Sequence, residues 1–80
     1  MVGKRTEPHY YPYEPGEYFK RDGVWFVVAP NETGPGSLER HDVVEHEDGT
    51  ISVSPSILIY PSGDAPGWHG YLKNGIWSEC

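Results

Sequence analysis

The sequence predicts an all-β fold, a small antiparallel barrel or curled sheet of about five strands with an extended Pro/Tyr-rich N-terminal arm. Three turn dipeptides support this prediction: Asp22-Gly23, Asp48-Gly49 and Asn74-Gly75 each offer the positive φ that a tight hairpin turn requires. Apolar residues also alternate between positions 51 and 59, as in a strand with one buried face. No apolar stripe has helical spacing over a useful length.

The chain divides into an arm, residues 1–16, and a single small β domain, residues 17–80. Three prolines within nine positions, 7–15, exclude a helix or a central strand in the arm. We therefore predict a polyproline-like segment laid on the sheet and held by Tyr10, Tyr11 and Tyr13, the alternative being a partly disordered tail.

Strand signals occur in five segments of the β domain. The predicted strands are residues 18–20, 24–28, 38–46, 50–59 and 68–78, the last segment containing the Asn74-Gly75 hairpin. Pro55 lies inside the fourth and is expected to end one pairing register and start another. The predicted core consists of apolar and aromatic residues: Phe19, Trp25, Val27, Val43, Ile51, Val53, Ile57, Ile59, Tyr71 and Ile76. The tryptophans are expected in the core, because so small a chain has little else to bury.

Charge and cysteine content narrow the functional classes. Twelve acidic residues oppose six basic ones, giving a formal net charge of −6, which disfavours direct nucleic-acid binding. Cys80 is the single cysteine, so no intramolecular disulfide can form and a reducing, cytoplasmic setting is expected. No segment has the roughly 20 apolar residues of a membrane span, and the first residues lack a signal-peptide core.

The segment from Asp48 to Cys80 carries a recognisable pattern. It contains Val53-Ser-Pro-Ser-Ile57, then Trp68-His-Gly-Tyr-Leu-Lys-Asn-Gly75. This pattern resembles a small family of phage and actinobacterial domains of unknown function, and the resemblance implies a phage-encoded protein. Some relatives are labelled ammonia monooxygenase, but this chain offers no copper-type ligand set. Relatives also carry cysteine pairs near the equivalent of 29–36, where this chain has none.

An acidic run marks the first candidate binding surface. Glu39, Asp42, Glu45 and Glu47 crowd the predicted strand 38–46 and the turn after it, and could dock a basic host protein or imitate nucleic-acid phosphates. Charges on an exposed strand equally serve to prevent edge-to-edge aggregation. A second candidate surface is Trp68 and His69 beside the loop 60–67, if these side chains are exposed.

Metal binding and catalysis have weaker support. His41, His69 and Cys80 are the candidate zinc ligands, although zinc usually takes about four N or S ligands with close pairs among them. Ser54 and Ser56 offer hydroxyls that His69 and Asp64 could complete to a nucleophile triad on paper only. The sequence has no strand-to-helix elbow and no glycine-rich oxyanion loop.

From these observations we expect a non-enzymatic accessory protein without an obligatory cofactor. It is expected to be phage-encoded and to bind a host protein in the cytoplasm, without contact to membranes or direct contact to nucleic acid. The alternatives are a small zinc-stabilised module and an acidic nucleic-acid mimic that blocks a DNA- or RNA-binding protein. The oligomeric state is left open by the sequence.

Overall fold

The computed structural model describes residues 1–32 and 34–80, and within these ranges the chain forms strands and turns but no helix. The all-β prediction is therefore confirmed. Nine strands follow one another: β1 Lys4–Arg5, β2 Glu17–Arg21, β3 Val24–Val27, β4 Gly36–Ser37, β5 Asp42–Glu45, β6 Ile51–Ser54, β7 Ile57–Ile59, β8 Trp68–Lys73 and β9 Ile76–Glu79. In the described ranges no helix is long and apolar enough to cross a membrane.

The strands form three small sheets, and none closes into a barrel. The N-terminal sheet has the order β1-β2-β3-β4, with β1 parallel to β2 and the other pairs antiparallel. β5 and β6 form an antiparallel middle pair, and β7-β8-β9 form an antiparallel C-terminal sheet. The curled-sheet form of the prediction therefore describes the fold better than the barrel form.

The predicted Asp-Gly and Asn-Gly turns join two of the hairpins. Asp22 (φ 51°) and Gly23 (φ 81°) connect β2 to β3, and Asn74 (φ 49°) and Gly75 (φ 75°) connect β8 to β9. Positive φ at both central residues matches the right-handed twist of the flanking strands. The predicted hairpins at both positions are confirmed.

Two of the predicted strands differ from the structure. The segment 50–59 is not one strand, because Pro55 separates β6 from β7, which belong to different sheets. Proline has no backbone N–H to continue the ladder, so the expected change of register at Pro55 is confirmed. Of the segment 38–46, only the four residues of β5 are strand. Leu38 instead continues the pairing of β4 with β3 by donating its N–H to the Trp25 carbonyl (2.8 Å), and its own carbonyl accepts from His41 N–H (2.9 Å) in a turn.

The first six residues join the N-terminal sheet to the C-terminal sheet. Gly3 N–H donates to the Gly75 carbonyl (2.7 Å), and Trp77 N–H donates to the Met1 carbonyl (2.8 Å). A few residues later, Thr6 N–H donates to the Tyr18 carbonyl on β2 (2.9 Å). The start of the predicted arm is therefore paired with strands on both sides.

The main core lies between the sheets and contains all three tryptophans. Its buried residues are Tyr18, Trp25, Val27, Ala29, Leu38, Ile51, Val53, Ile57, Trp68, Leu72 and Trp77. The Trp68 and Trp77 rings meet edge to face with centroids 5.2 Å apart. The indole N–H of Trp77 donates to the Gly16 carbonyl (3.0 Å), so this buried polar group is satisfied.

A second, smaller core forms on the opposite face of the N-terminal sheet. The Tyr13 ring stacks on Phe19 at 5.2 Å, and Phe19 stacks on Phe26 at 5.4 Å. Tyr13 is buried, whereas Tyr10 and Tyr11 are 96% and 68% exposed. The prediction that the arm lies on the sheet through its tyrosines is therefore confirmed for Tyr13.

Of the ten predicted core residues, six are buried, two are partly buried and two are exposed. Val43 and Ile59 are partly buried against the main core, while Tyr71 and Ile76 are 43% and 45% exposed. The prediction for Tyr71 and Ile76 is wrong because successive residues of β8 and of β9 face opposite sides, and on β9 Trp77 takes the inner face, which leaves Ile76 outside. Trp68, Gly70 and Leu72 take the inner face, which leaves Tyr71 and its neighbours outside.

Candidate functional site

β5 carries two of the four predicted acidic binding residues, and they lie on opposite faces. Val43 packs against the main core, so Glu45 shares its inner side while Asp42 and Val44 face outwards. Glu45 accepts a 2.8 Å hydrogen bond from the Arg5 guanidinium. This bond, with the charge of Arg5, lowers the pKa of Glu45 from its ordinary value.

The other three acidic residues remain available to a partner. Glu39, Asp42 and Glu47 are exposed, and in the described part of the chain none of them forms an ion pair. Glu39 accepts only a weak 3.5 Å bond from the Ser37 hydroxyl. The acidic surface therefore consists of these three carboxylates, and Glu45 is already neutralised.

A cleft of about 220 Å³ opens beside the acidic surface, where β3 approaches β5. It is lined by Gly23, Val24, Trp25, Leu38, Glu39, His41 and Val43. The imidazole Nε2 of His41 lies 3.2 Å from the Ser56 carbonyl oxygen. Its Nδ1 is buried and has no hydrogen-bond partner among the described residues. This cleft is the candidate functional site. The exposed residue Asp42 follows His41 in the sequence.

Two cations cover the ring of Trp25 at the cleft wall. The Arg5 guanidinium carbon is 5.1 Å from the ring centroid and the Lys20 nitrogen is 5.7 Å from it. Both are within the range of cation–π attraction. Both also act on Glu45, whose pKa they help to lower, so one carboxylate faces two positive charges at this wall.

The proposed zinc ligands are only partly brought together. His69 Nε2 lies 3.9 Å from the Cys80 thiol, because Cys80 follows β9 and its N–H donates to the His69 carbonyl. His41 does not join them, since its ring contacts the Ser56 backbone instead. Among the described residues no group of three His, Cys, Asp or Glu side chains could hold a metal ion. The chain supplies a two-ligand pair at this place.

Ser56 and His69 form one half of the nucleophile arrangement considered from the sequence. The Ser56 hydroxyl lies 3.0 Å from His69 Nε2. In residues 1–32 and 34–80 no hydrogen bond links Asp64 to His69, so no carboxylate orients the imidazole. An imidazole without such a partner lacks the third component of a catalytic triad.

The predicted surface at Trp68 and His69 separates into a buried and an exposed part. Trp68 is buried on the inner face, whereas His69 lies on the outer face. Gly70 is the residue in the sequence that indicates the inward direction of Trp68. The Trp68 ring occupies the space where a Cβ at position 70 would lie, so only glycine fits at this position. A tryptophan two residues before such a glycine points inward with it.

The outer face of the C-terminal sheet presents an exposed apolar stripe that was not anticipated. Leu58, Tyr71 and Ile76 lie diagonally across the three strands, and Val2 is paired with Ile76 at one end. The hydrophobicity of Tyr71 and Ile76 predicts a core position, but the alternation along β8 and β9 places both side chains on the outer face. We call Leu58, Tyr71, Ile76 and Val2 the outer stripe.

The cleft could not be assembled from the sequence alone. Its walls come from the turn after Asp22, from the turn at Leu38 and from β5, segments that show no shared motif. Comparison with known proteins adds no further guide: no family model, no curated protein and no solved structure matches the chain. The resemblance to the phage and actinobacterial family therefore stays a prediction.

Proposed function

We propose that the protein is a non-enzymatic accessory protein that binds a basic partner protein through the acidic surface, Glu39, Asp42 and Glu47. The observation that carries the proposal is that these three carboxylates are exposed on and around an edge strand and form no ion pair with any residue that the structure describes. A net charge of −6 steers a basic partner towards the protein.

The position of β5 supports the same surface. β5 pairs with β6 on one side only, so its other edge offers unpaired backbone groups to a partner strand. Carboxylates beside such an edge repel a second copy of the chain and attract a cationic protein. Protection of the edge and selection of a basic partner are thus two results of one charge arrangement.

The biological context of the proposed function is taken from the resemblance to the phage and actinobacterial family. A phage-encoded origin and action on a host protein in the cytoplasm belong to the proposal on that ground. A nucleic-acid mimic is less well supported, because it needs a continuous series of exposed negative charges. Arg5 interrupts the series by neutralising Glu45.

The proposal is tested with two triple variants of equal charge. The first neutralises the acidic surface (Glu39→Gln, Asp42→Asn, Glu47→Gln). The control neutralises three exposed carboxylates elsewhere: Glu7→Gln, Asp22→Asn and Asp64→Asn. Both change the net charge from −6 to −3, because each removes three negative charges.

Immobilised wild-type protein and both variants are used to capture proteins from host lysate, and the affinity of each basic protein captured is then measured after purification. We expect the surface variant to bind at least about tenfold more weakly and the control to stay within about threefold. Binding to wild type should also weaken strongly with salt. Equal losses in both variants would reject the acidic surface, and a partner that is not basic would reject the proposal.

Zinc binding is the second candidate function, favoured by the 3.9 Å contact between Cys80 and His69. A structural zinc ion takes four ligands, so two copies of this pair are needed. His69 shares the outer face with the outer stripe, an apolar surface suited to contact between copies. Elemental analysis and sedimentation should then give one zinc per two chains, and Cys80→Ser should abolish both metal and dimer. A metal-free monomer would remove this candidate.

A further inference from the structure

We propose that Asn74 is a site of spontaneous deamidation, and that the contacts of Gly75 with Ile51 and Gly3 control when the reaction occurs. The chain has two asparagines, Asn31 and Asn74, and of these Asn74 is followed by glycine. Glycine has no Cβ to shield its own nitrogen, so an asparagine that precedes glycine reacts most readily. The inference goes beyond the proposed function and does not depend on it.

The reaction needs only water and these two neighbouring residues. The backbone nitrogen of Gly75 gives up its proton and attacks the side-chain carbonyl carbon of Asn74, forming a new C–N bond. The bond from that carbon to the side-chain nitrogen breaks, and ammonia leaves with the proton that Gly75 gave up, which closes a five-membered succinimide ring. Water then opens the ring at either carbonyl and leaves aspartate or isoaspartate at position 74. The net change is one water consumed and one ammonia released.

In the folded chain the attacking nitrogen is enclosed. Gly75 is buried, and its N–H donates to the carbonyl of the fully buried Ile51 (3.0 Å). The Gly75 carbonyl accepts from Gly3 N–H (2.7 Å). Thr50 and Tyr18 pack directly over this residue, since a Cβ at position 75 would lie 2.9 Å from Thr50 and 3.2 Å from the Tyr18 hydroxyl. Removal of the Gly75 proton therefore requires these contacts to open.

Asn74 is exposed, but the turn also fixes its backbone. Its φ is 49°, its N–H donates to the Ser52 hydroxyl (2.9 Å), and its side-chain oxygen lies 3.5 Å from the same hydroxyl. Closing the ring requires the side chain to leave Ser52 and fold over the Gly75 nitrogen. The turn thus holds a reactive pair of residues in an unreactive geometry, so the rate of deamidation follows the fraction of time for which the turn is open.

Isoaspartate at position 74 would break the link between the N-terminal segment and the C-terminal sheet. It carries the main chain through the former side chain and adds one methylene group to the turn. The hydrogen bonds of Gly75 to Ile51 and Gly3 depend on the present length of this turn, so we expect both to be lost. Deamidation therefore acts as a slow, irreversible switch that loosens residues 1–3.

The first test compares the folded protein with the same protein unfolded in urea, both at mildly alkaline pH. Samples are digested with pepsin in acid, where ring closure is slow, and mass spectrometry measures the conversion at Asn74 and at Asn31. We expect Asn74 to convert in the unfolded protein and at least about tenfold more slowly in the folded protein, with little conversion of Asn31. Equal rates at Asn74 would overturn the control by the fold, and no conversion in urea would overturn the site.

A matched pair of serine variants tests the contacts of the turn. Ser52→Ala removes the hydroxyl that holds Asn74, whereas Ser56→Ala removes a hydroxyl elsewhere. Each hydroxyl also contacts an imidazole, that of His46 at 2.7 Å or that of His69 at 3.0 Å, so the loss of such a contact is common to both variants. We expect Ser52→Ala to speed deamidation of the folded protein about fivefold and Ser56→Ala less than about twofold. Equal rates in the two variants would reject the turn contacts as the control.

Amide hydrogen exchange at Gly3, followed by NMR, tests the consequence. The purified isoaspartate form should exchange this amide at least about tenfold faster than the unreacted protein, because its acceptor on Gly75 is displaced. Asn74→Asp is the control, since it adds the same charge without lengthening the main chain, and aspartate tolerates positive φ. It should leave Gly3 exchange within about threefold of wild type. Unchanged exchange in the isoaspartate form, or equally fast exchange in Asn74→Asp, would overturn the switch.

Discussion

Replacing Tyr13 with alanine removes the contact through which the arm packs on the N-terminal sheet. The ring is 8% exposed, stacks on Phe19 at 5.2 Å and contacts His9 at 4.2 Å. A packed aromatic side chain buries roughly 150–250 Å², which at about 25 cal/mol per Å² gives an upper limit of about 4–6 kcal/mol. The unfolded chain already buries part of this area and the released arm regains conformational freedom, so we expect a loss of about 2–4 kcal/mol.

Urea unfolding followed by tryptophan fluorescence measures this loss. In a thermal scan it corresponds to a fall in Tm of about 10–30 °C for a domain of this size. Tyr13→Phe removes only the hydroxyl that donates to the His9 carbonyl and should cost about 1 kcal/mol. Tyr10→Ala is the control, because Tyr10 is 96% exposed and should change stability by less than about 0.5 kcal/mol.

Equal stabilities of Tyr13→Ala and Tyr10→Ala would refute this reasoning. The arm would then be undocked in solution, and its tyrosines would be free to contact a partner. The acidic surface would lose its claim as the main binding surface, and truncation of residues 1–15 would become the decisive binding experiment.

Three further predictions follow from close contacts and shifted pKa values. Gly70→Ala should prevent folding, as judged by circular dichroism, because the added Cβ would lie 2.3 Å from a backbone oxygen of β9; Gly34→Ala, with nothing within 4 Å, should fold normally. An NMR titration should place the pKa of the Glu45 carboxyl below its ordinary value of about 4.5, and Arg5→Gln should raise that pKa. The Arg5–Glu45 pair contributes to stability above the ordinary pKa, and this contribution is lost as pH falls through the lowered pKa. Burial raises the pKa of Tyr18, so an ultraviolet titration should show Tyr18 ionising above the ordinary tyrosine pKa of about 10. The protonated Tyr18 contributes to stability below pH 10, and this contribution is lost as pH rises through the raised pKa.

The local signals in the sequence predicted much of the fold. Asp22-Gly23 and Asn74-Gly75 predicted their hairpins because positive φ is a local property of the residue type. Pro55 predicted the change of sheet for an equally local reason, its missing N–H. The outward position of Tyr71 was missed, although strict alternation with Trp68 and Leu72 contains that information.

The features of the fold and the site that the sequence does not predict depend on contacts between distant segments. The parallel pairing of β1 with β2 has no local signature, because parallel neighbours are set by tertiary packing. The cleft at His41 depends in the same way on how β3, β5 and a turn meet. Glu45 was assigned to a partner, but Arg5, forty residues earlier, occupies it. Charge patterns predict a surface, and only the fold decides which charges remain available.

The pairing of residues 1–6 with β9 and β2 has a consequence for the order of folding. Met1 and Trp77, which exchange backbone hydrogen bonds, are separated by 76 positions, so their pairing closes a loop of that length. Closing so long a loop is slow compared with forming a two-residue hairpin. The pairing of Met1 with β9 is therefore expected to form after the β2–β3 and β8–β9 hairpins. An insertion in the exposed 61–64 loop should disturb this closing step little.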